Sequence, residues 1–294
     1  MSATPQLVTG RAELAATLAA PRRDGARVGL VPTMGALHEG HASLMTRARA
    51  DVGDGPVVVS VFVNPMQFGP GEDLDRYPRT LDADLEVCAD RGVDVVFAPP
   101  VEEVYPVWPP SVTVDPGPLA DLLEGVTRPG HFAGVLTVVA KLLGLVRPDV
   151  AVFGQKDYQQ LVLIRQLAAD LCLGVEVVGA ETVREPDGLA LSSRNRYLDA
   201  EQRRHALALH RALRVAAEAA PSGLSAALDA ARAEVRDAVG VDLDYLEITR
   251  PDLSPVPRDA PAGTEARALV AARVGTTRLI DNLPLVLGHT GGTA

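Results

Sequence analysis

Two textures of apolar and polar positions divide the chain. Between residues 28 and 178, short continuous apolar runs alternate with longer stretches in which apolar residues recur every three or four positions. The runs at 28–32, 57–63, 93–97, 149–153 and 175–178 predict strands covered on both faces, the mark of a parallel sheet. The stretches at 40–51, 81–91, 132–145 and 158–171 predict helices. Residues 64–79, rich in Gly, Pro and Asp, predict an irregular connection. Strand alternating with helix predicts an α/β fold, a doubly wound, Rossmann-like parallel sheet with ligands at the carboxyl ends of its strands.

Beyond about residue 183 the texture changes. Ala-rich amphipathic stretches at 199–219 and 224–239 precede short strands near 244–248 and 268–279, with a Pro-rich loop at 251–261. A smaller α+β C-terminal domain is expected over 183–294, after a first domain over 1–182.

Composition narrows the function. With 294 residues, 47% of them hydrophobic, the chain can bury a sizeable core. A formal charge of -10 argues against a general nucleic-acid or membrane-surface binder, because those need a broad positive field. Cys88 and Cys172 are too few and too far apart for a zinc site or a disulfide framework. The N-terminal stretch has no signal-peptide core, and the longest apolar stretch, 134–146, is short for a bilayer and contains Lys141, so a cytoplasmic location is expected. Of the 28 basic side chains, all but Lys141 and Lys156 are arginine, which invites a reason for each lysine that survives.

Four segments could carry chemistry. Pro32-Thr-Met-Gly-Ala-Leu-His38-Glu-Gly-His41 lies where the first apolar strand turns into a helix. Two imidazoles there, with the helix dipole, free backbone N–H groups and the close approach allowed by Gly35 and Gly40, suit a phosphate. Zinc is disfavoured because the histidines are three apart and not four; polar loop histidines with no task are the alternative. Val61-Phe-Val-Asn64-Pro-Met-Gln67-Phe presents neutral amides that can bind a hydroxylated or carboxylate ligand, or serve only as turn chemistry.

Phe153-Gly-Gln-Lys156-Asp-Tyr-Gln-Gln160 opens a helix at another strand end, where Lys156 can reach phosphate oxygens and Gly154 permits close approach, or Lys156 is a solvated lysine at a helix start. Leu191-Ser-Ser-Arg194-Asn-Arg196 offers oxyanion donors at the domain junction, or is simply a linker.

In this order, the segments resemble the pantothenate synthetase family, AMP-forming pantoate–β-alanine ligases of the nucleotidylyltransferase superfamily. The resemblance rests on P-T-M-G-A-L-H-E-G-H, V-F-V-N-P-M-Q-F, Y-P-R-T, F-G-Q-K-D-Y-Q-Q-L and L-S-S-R-N-R-Y-L, and resumes at Asp244-Tyr-Leu-Glu247 and Arg278-Leu-Ile-Asp-Asn282. It implies an ATP site lined by Met34, Gly35, Ala36, Leu37, His38, Glu39, Gly40 and His41, by Gly154, Gln155, Lys156 and Asp157, and by Val183, Leu191, Ser192, Ser193 and Arg194. It implies His41 as proton donor, His38, Lys156 and Arg194 as further catalytic groups, and Gln67 and Gln160 as pantoate ligands.

The resemblance further implies Mg²⁺, a homodimer, a first domain that binds nucleotide and pantoate, and a C-terminal lid. The family often carries consecutive acidic residues after Y-P-R-T, where magnesium is associated; here Ala83 interrupts Asp82-Ala83-Asp84, so the metal ligands stay unassigned. A plain adenylyltransferase and a non-catalytic ATP sensor are the rival readings. The neutral amides of Gln67 and Gln160 disfavour a phosphate acceptor, which would want a second cationic cluster.

Overall fold

The computed structural model describes residues 4–69, 74–257 and 259–288. Two compact units emerge: one runs up to Gln155 and continues with Gln159–Glu181, and the other combines Lys156–Tyr158 with the chain from Thr182 onward.

The first unit is built on a six-stranded, wholly parallel sheet. Its strands are β1 (Gln6–Val8), β2 (Gly29–Thr33), β3 (Val57–Val61), β4 (Val95–Phe97), β5 (Val150–Gly154) and β6 (Glu176–Ala180), in the order β1-β4-β3-β2-β5-β6. Val57, Val58, Val59 and Ser60 of β3 are inaccessible to solvent, as the unbroken apolar run predicts for a central strand. Each fully buried valine or leucine contributes about 1.5–3 kcal/mol relative to an exposed one.

Helices α1 (Arg11–Arg23), α2 (Glu39–Val52), α3 (Leu81–Asp90), the short α4 (Val101–Val104) and α5 (Glu124–Thr127), α6 (His131–Val146) and α7 (Tyr158–Asp170) connect and cover the strands. From β2 the chain moves outward to β3 and β4, then returns to place β5 on the other side of β2. The direction of winding therefore reverses between β2 and β5, and ligand sites of open α/β sheets lie at the strand ends beside such a reversal. The turns after β2 and β3 and the end of β5 are the segments singled out from the sequence.

The expected strand at 57–63 stops at Val61, and the irregular stretch contains two single turns of 3₁₀ helix, Pro65–Gln67 and Leu74–Arg76. The elements β1 and α1 had no counterpart in the periodicity. Only Leu14 and Leu18 of α1 are buried, too sparse a stripe to read, and β1 is a three-residue edge strand formed by pairing with β4.

In the second unit, α8 (Ala200–Ala219) and α9 (Leu224–Arg236) cover an antiparallel sheet of β7 (Val241–Thr249), β8 (Thr264–Val274) and β9 (Thr277–Leu287). Asp199 caps α8 by accepting from the Glu201 and Gln202 N–H groups, and Gln202 returns a bond to the Asp199 N–H. The expected strand at 268–279 runs through a hairpin turn, Gly275-Thr276, so two strands stand where one run was read. The helix expected to reach residue 239 ends at Arg236.

Candidate active site

The turn from β2 into α2 is fixed almost entirely by hydrogen bonds to its own backbone. Thr33 Oγ1 donates to the Ser60 carbonyl (2.7 Å) and accepts from the Gly35 N–H (3.2 Å). Gly35 and Ala36 both have positive φ, 85° and 50°. Such a conformation costs a non-glycine residue about 1–2 kcal/mol, so something must hold Ala36 there. The N–H groups of Ala36 and Leu37 donate to the carboxylate of Asp84, on the first turn of α3, at 3.1 and 2.8 Å. Hydrogen bonds to a charged acceptor are roughly twice as strong as neutral ones.

His38 is the N-cap of α2. Its Nδ1 accepts from the Gly40 N–H (3.1 Å), while His41 Nδ1 accepts from the His38 N–H (3.3 Å), and the two rings lie 4.2 Å apart at 38°. An accepting ring nitrogen carries no hydrogen, so each neutral imidazole has its N–H at Nε2. The expectation of free backbone donors in this corner is corrected here. The N–H groups of Gly35, Ala36, Leu37, His38, Gly40 and His41 all have partners within the chain, because the positive-φ turn and the caps consume them. Both rings are held in this corner through Nδ1. Glu39 turns to Arg91, which donates to its carboxylate at 2.9 and 3.1 Å.

After β3, Asn64 organises the second segment. Its Oδ1 accepts from the Met66 N–H (3.3 Å) and the buried Tyr105 hydroxyl (2.9 Å), and its Nδ2 donates to Gln67 Oε1 (3.1 Å) and the Gly134 carbonyl (3.1 Å). Gln67 Nε2 in turn donates to Met34 Sδ at 3.0 Å, so the structure brings Gln67 onto the β2–α2 turn. Arg128 and His131 meet the Gln67 carbonyl (3.3 and 3.0 Å), and Lys141 places its ammonium 5.3 Å from the centre of the Tyr105 ring. One of the two surviving lysines thus backs the Tyr105–Asn64–Gln67 chain.

The closest packing in this region is at Gly134 of α6. A Cβ there would lie 2.2 Å from the Met66 carbonyl oxygen and 2.8 Å from Gln67 Cα, both backbone atoms that cannot swing away. Gly134→Ala is accordingly expected to displace Gln67 and cost about 1–3 kcal/mol of stability, the usual range for overpacking. A lower thermal midpoint would bear this out; an unchanged midpoint would show that the helix accommodates the methyl without displacing Gln67.

Gly154 ends β5, where an added Cβ would meet open space, and Gln155 Nε2 donates to the Gly179 carbonyl of β6 (3.0 Å). Gln160 lies half-buried in the first turn of α7. Its buried neighbour Gln159 is spent on structure, accepting from the Glu124 N–H and donating to the Leu119 and Leu122 carbonyls.

In the second unit, Lys156 is anchored through its main chain. Its carbonyl accepts from Asn282 Nδ2 (2.9 Å), Asn282 Oδ1 accepts from Arg267 (2.7 Å), and the Arg267 guanidinium lies 4.0 Å over the Tyr158 ring, whose hydroxyl donates to the Pro251 carbonyl (2.9 Å). Lys156 Nζ is 4.0 Å from the exposed carboxylate of Asp157. Val183 and Leu191 flank a short antiparallel bridge between Arg184 and Ala190, the Leu191 N–H donating to the Val183 carbonyl (2.9 Å).

Ser192 caps the turn Ser193–Tyr197, its hydroxyl accepting from the Arg194 N–H (3.2 Å), and Arg194 is exposed. Arg203 fastens this segment to α8 by pairing with Glu185 and Asp187, and its hydrogen bond holds the Glu185 carboxyl below the usual range.

Burial first, and the Arg184 charge second, push the His210 pKa below its ordinary value, and its Nδ1 has no hydrogen-bond partner. The folded unit therefore binds fewer protons at His210 than the unfolded chain does. Its stability is fullest above the ordinary imidazole value of 6.5 and falls as pH drops through it. Thermal midpoints at pH 7.5 and 5.5 should differ less for His210→Gln than for the unaltered protein.

The pantoate-beta-alanine ligase family model matches residues 6–284. The pantothenate synthetase of Nocardioides sp. is 70% identical, over 99% of this chain and 88% of its own length. The chain belongs to the pantoate-beta-alanine ligase family. The pantothenate synthetase of Mycolicibacterium smegmatis is 54% identical over 99% of this chain and 93% of its own. Among ligases of solved structure, that of Thermus thermophilus superposes with a TM-score of 0.86 at 51% identity, covering 95% of this chain and 98% of its own. The Francisella tularensis pantoate-beta-alanine ligase, complexed with beta-gamma ATP and beta-alanine, gives 0.74 at 33% identity, over 95% and 97%.

Within this ligase chain, Asp84, Tyr105, Arg128, His131 and Asn282 join the predicted site residues without having been singled out for a role. A histidine opening an otherwise apolar helix was the one visible signal, at His131. Among the described residues, those of the acidic run do not fit a protein-held magnesium ion. Asp82 is exposed, both oxygens of Asp84 face N–H groups of the turn, and among the described residues no three His, Cys, Asp or Glu side chains converge. Among the described residues, no helix is long and apolar enough to cross a membrane.

Proposed function

We propose that this chain condenses pantoate with β-alanine to pantothenate, cleaving ATP to AMP and pyrophosphate. Pantoate's carboxylate attacks the α-phosphorus of ATP in line, forming pantoyl adenylate and expelling pyrophosphate. The amine of β-alanine then attacks the acyl carbon and AMP leaves. No covalent enzyme intermediate is needed, and catalysis comes from positioning and from charge stabilisation at phosphorus.

The observation that carries this reading is the pair of imidazoles at the start of α2, each with Nδ1 committed to the backbone, in a turn that Gln67 joins through Met34. His41 donates a proton, or a hydrogen bond with proton character, to a phosphate oxygen, and His38 sits beside it. Met34 to His41, Gly154 to Asp157, Val183 and Leu191 to Arg194 are assigned to ATP, with Lys156 and Arg194 supplying positive charge. Gln67 and Gln160 are assigned to pantoate, whose hydroxyls and carboxylate suit neutral amide donors and acceptors.

A dry site protects the adenylate from hydrolysis, and the C-terminal domain is proposed as the lid that provides it. Magnesium is expected only as the counter-ion carried by ATP, and no step is assigned to it. A homodimer and a cytoplasmic location complete the reading and rest on the family resemblance and on the sequence.

Isotope exchange tests the order of steps. Labelled pyrophosphate should enter ATP when pantoate is present and β-alanine is absent, and should not enter with β-alanine alone. Pantoate-independent exchange or an adenylated phosphate product would favour a plain adenylyltransferase. ATP binding without turnover would favour a sensor.

A further inference from the structure

We infer that Asp84 is a positioning residue for the nucleotide turn and does not ligate magnesium, an inference that rests on the reading of residues 34–41 as the ATP turn. Asp84 stands in the acidic run where the family resemblance would look for a metal ligand. Its carboxylate is 2% exposed, and its two oxygens are divided between successive backbone donors, Oδ2 receiving the Ala36 N–H and Oδ1 the Leu37 N–H. The Thr80 hydroxyl adds a third donor to Oδ1 at 3.3 Å. Magnesium demands near-octahedral oxygen ligands and gives up water reluctantly, which a carboxylate buried against main-chain N–H groups does not offer.

The same carboxylate sets the shape of the turn. Gly35 passes so close that a Cβ would lie 2.9 Å from Asp84 Oδ2 and 3.0 Å from Val61 Cγ1, at a φ of 85° that side chains resist. Asp84 thereby holds Ala36 in its positive-φ conformation and fixes where the chain enters His38, and hence where both imidazoles stand. The thiol of its neighbour Cys88, one turn further along α3, has its pKa pushed up to about 12 by burial and secondly by the Asp84 charge, so that thiol stays neutral beside the carboxylate. Asparagine cannot replace the aspartate, because its NH₂ would face one of the two N–H donors.

Two measurements on the full-length chain test the inference: ATP affinity by calorimetry with EDTA present, and the magnesium dependence of pantoate-driven pyrophosphate exchange at saturating ATP. Asp84→Asn should weaken magnesium-free ATP binding at least ~10-fold, about the factor expected for losing one charge-assisted hydrogen bond. It should leave the magnesium concentration for half-maximal residual exchange unchanged. Gly35→Ala should do the same with every carboxylate in place, and circular dichroism verifies that both variants fold.

A raised magnesium requirement with unchanged magnesium-free affinity would overturn the inference by making Asp84 a metal ligand. Unchanged values in both measurements would overturn it by removing any role. If the unaltered protein itself fails to bind ATP, the underlying nucleotide reading falls, and this inference with it.

Discussion

Replacing His41 or Lys156 with alanine is expected to lower kcat by at least ~10²-fold, the usual loss when one transition-state donor is removed. For His41 the proposed donor is the imidazole, whose Nδ1 accepts from the His38 backbone. For Lys156 the donor is the ammonium, and the main chain beneath it is held independently by Asn282, so truncating the side chain leaves the anchor intact. Lys156→Arg should be impaired as well, since a planar guanidinium cannot occupy the place of a compact ammonium on a phosphate. Pyrophosphate exchange, with thermal melting as the control for folding, measures all three. Wild-type exchange by a folded His41→Ala protein would remove the assigned proton donor, and near wild-type turnover by Lys156→Arg would show that the scarcity of lysine has no bearing on its role.

Asp281→Ala should produce the largest loss of stability. Arg184 grips this carboxylate with both terminal nitrogens, at 2.6 and 2.9 Å, and the Asn282 N–H adds a third bond at 2.7 Å. Asp281 is 5% exposed, so its removal strands a guanidinium that water reaches poorly. Breaking a buried pair from one side costs about 3–5 kcal/mol, whereas replacing both members by apolar residues of similar volume is often neutral. Urea denaturation should therefore show a large drop for Asp281→Ala and substantial recovery in Arg184→Met/Asp281→Leu. Because Asn282 follows directly and holds the Lys156 carbonyl, the single variant should also lose exchange activity. A double variant no more stable than the single one would mean that the pair is not what stabilises the unit.

The strand–turn–helix units were legible because a central parallel strand must be apolar without interruption, as in β3, and because helices covering it carry a regular stripe. Legibility failed where pairing alone makes the element, as in β1, or where a two-residue turn leaves no gap in the apolar run, as between β8 and β9. The site divides along the same line. Residues within one turn announce themselves through spacing, as the pairing of His38 with His41 does.

The groups that hold them come from far along the chain. Asp84 lies 47 residues from Leu37, Gly134 is 70 from Asn64, and Asn282 is 126 from Lys156. No local pattern encodes such distances. Nor does spacing reveal that most backbone N–H groups of the β2–α2 turn are already taken.

The two-sided use of His38 has a consequence for which substitutes can stand in for it. One edge of the ring starts the helix, through Nδ1 and the Gly40 N–H, and the opposite edge carries Nε2. Asparagine, itself a preferred N-cap, matches the first edge but is too short to reach the second. Glutamine matches the reach of Nε2 while giving up the cap. Helix initiation and the proposed ligand contact through Nε2 are thus separable at a single position, each preserved by a different amide, and histidine is the side chain that carries both edges.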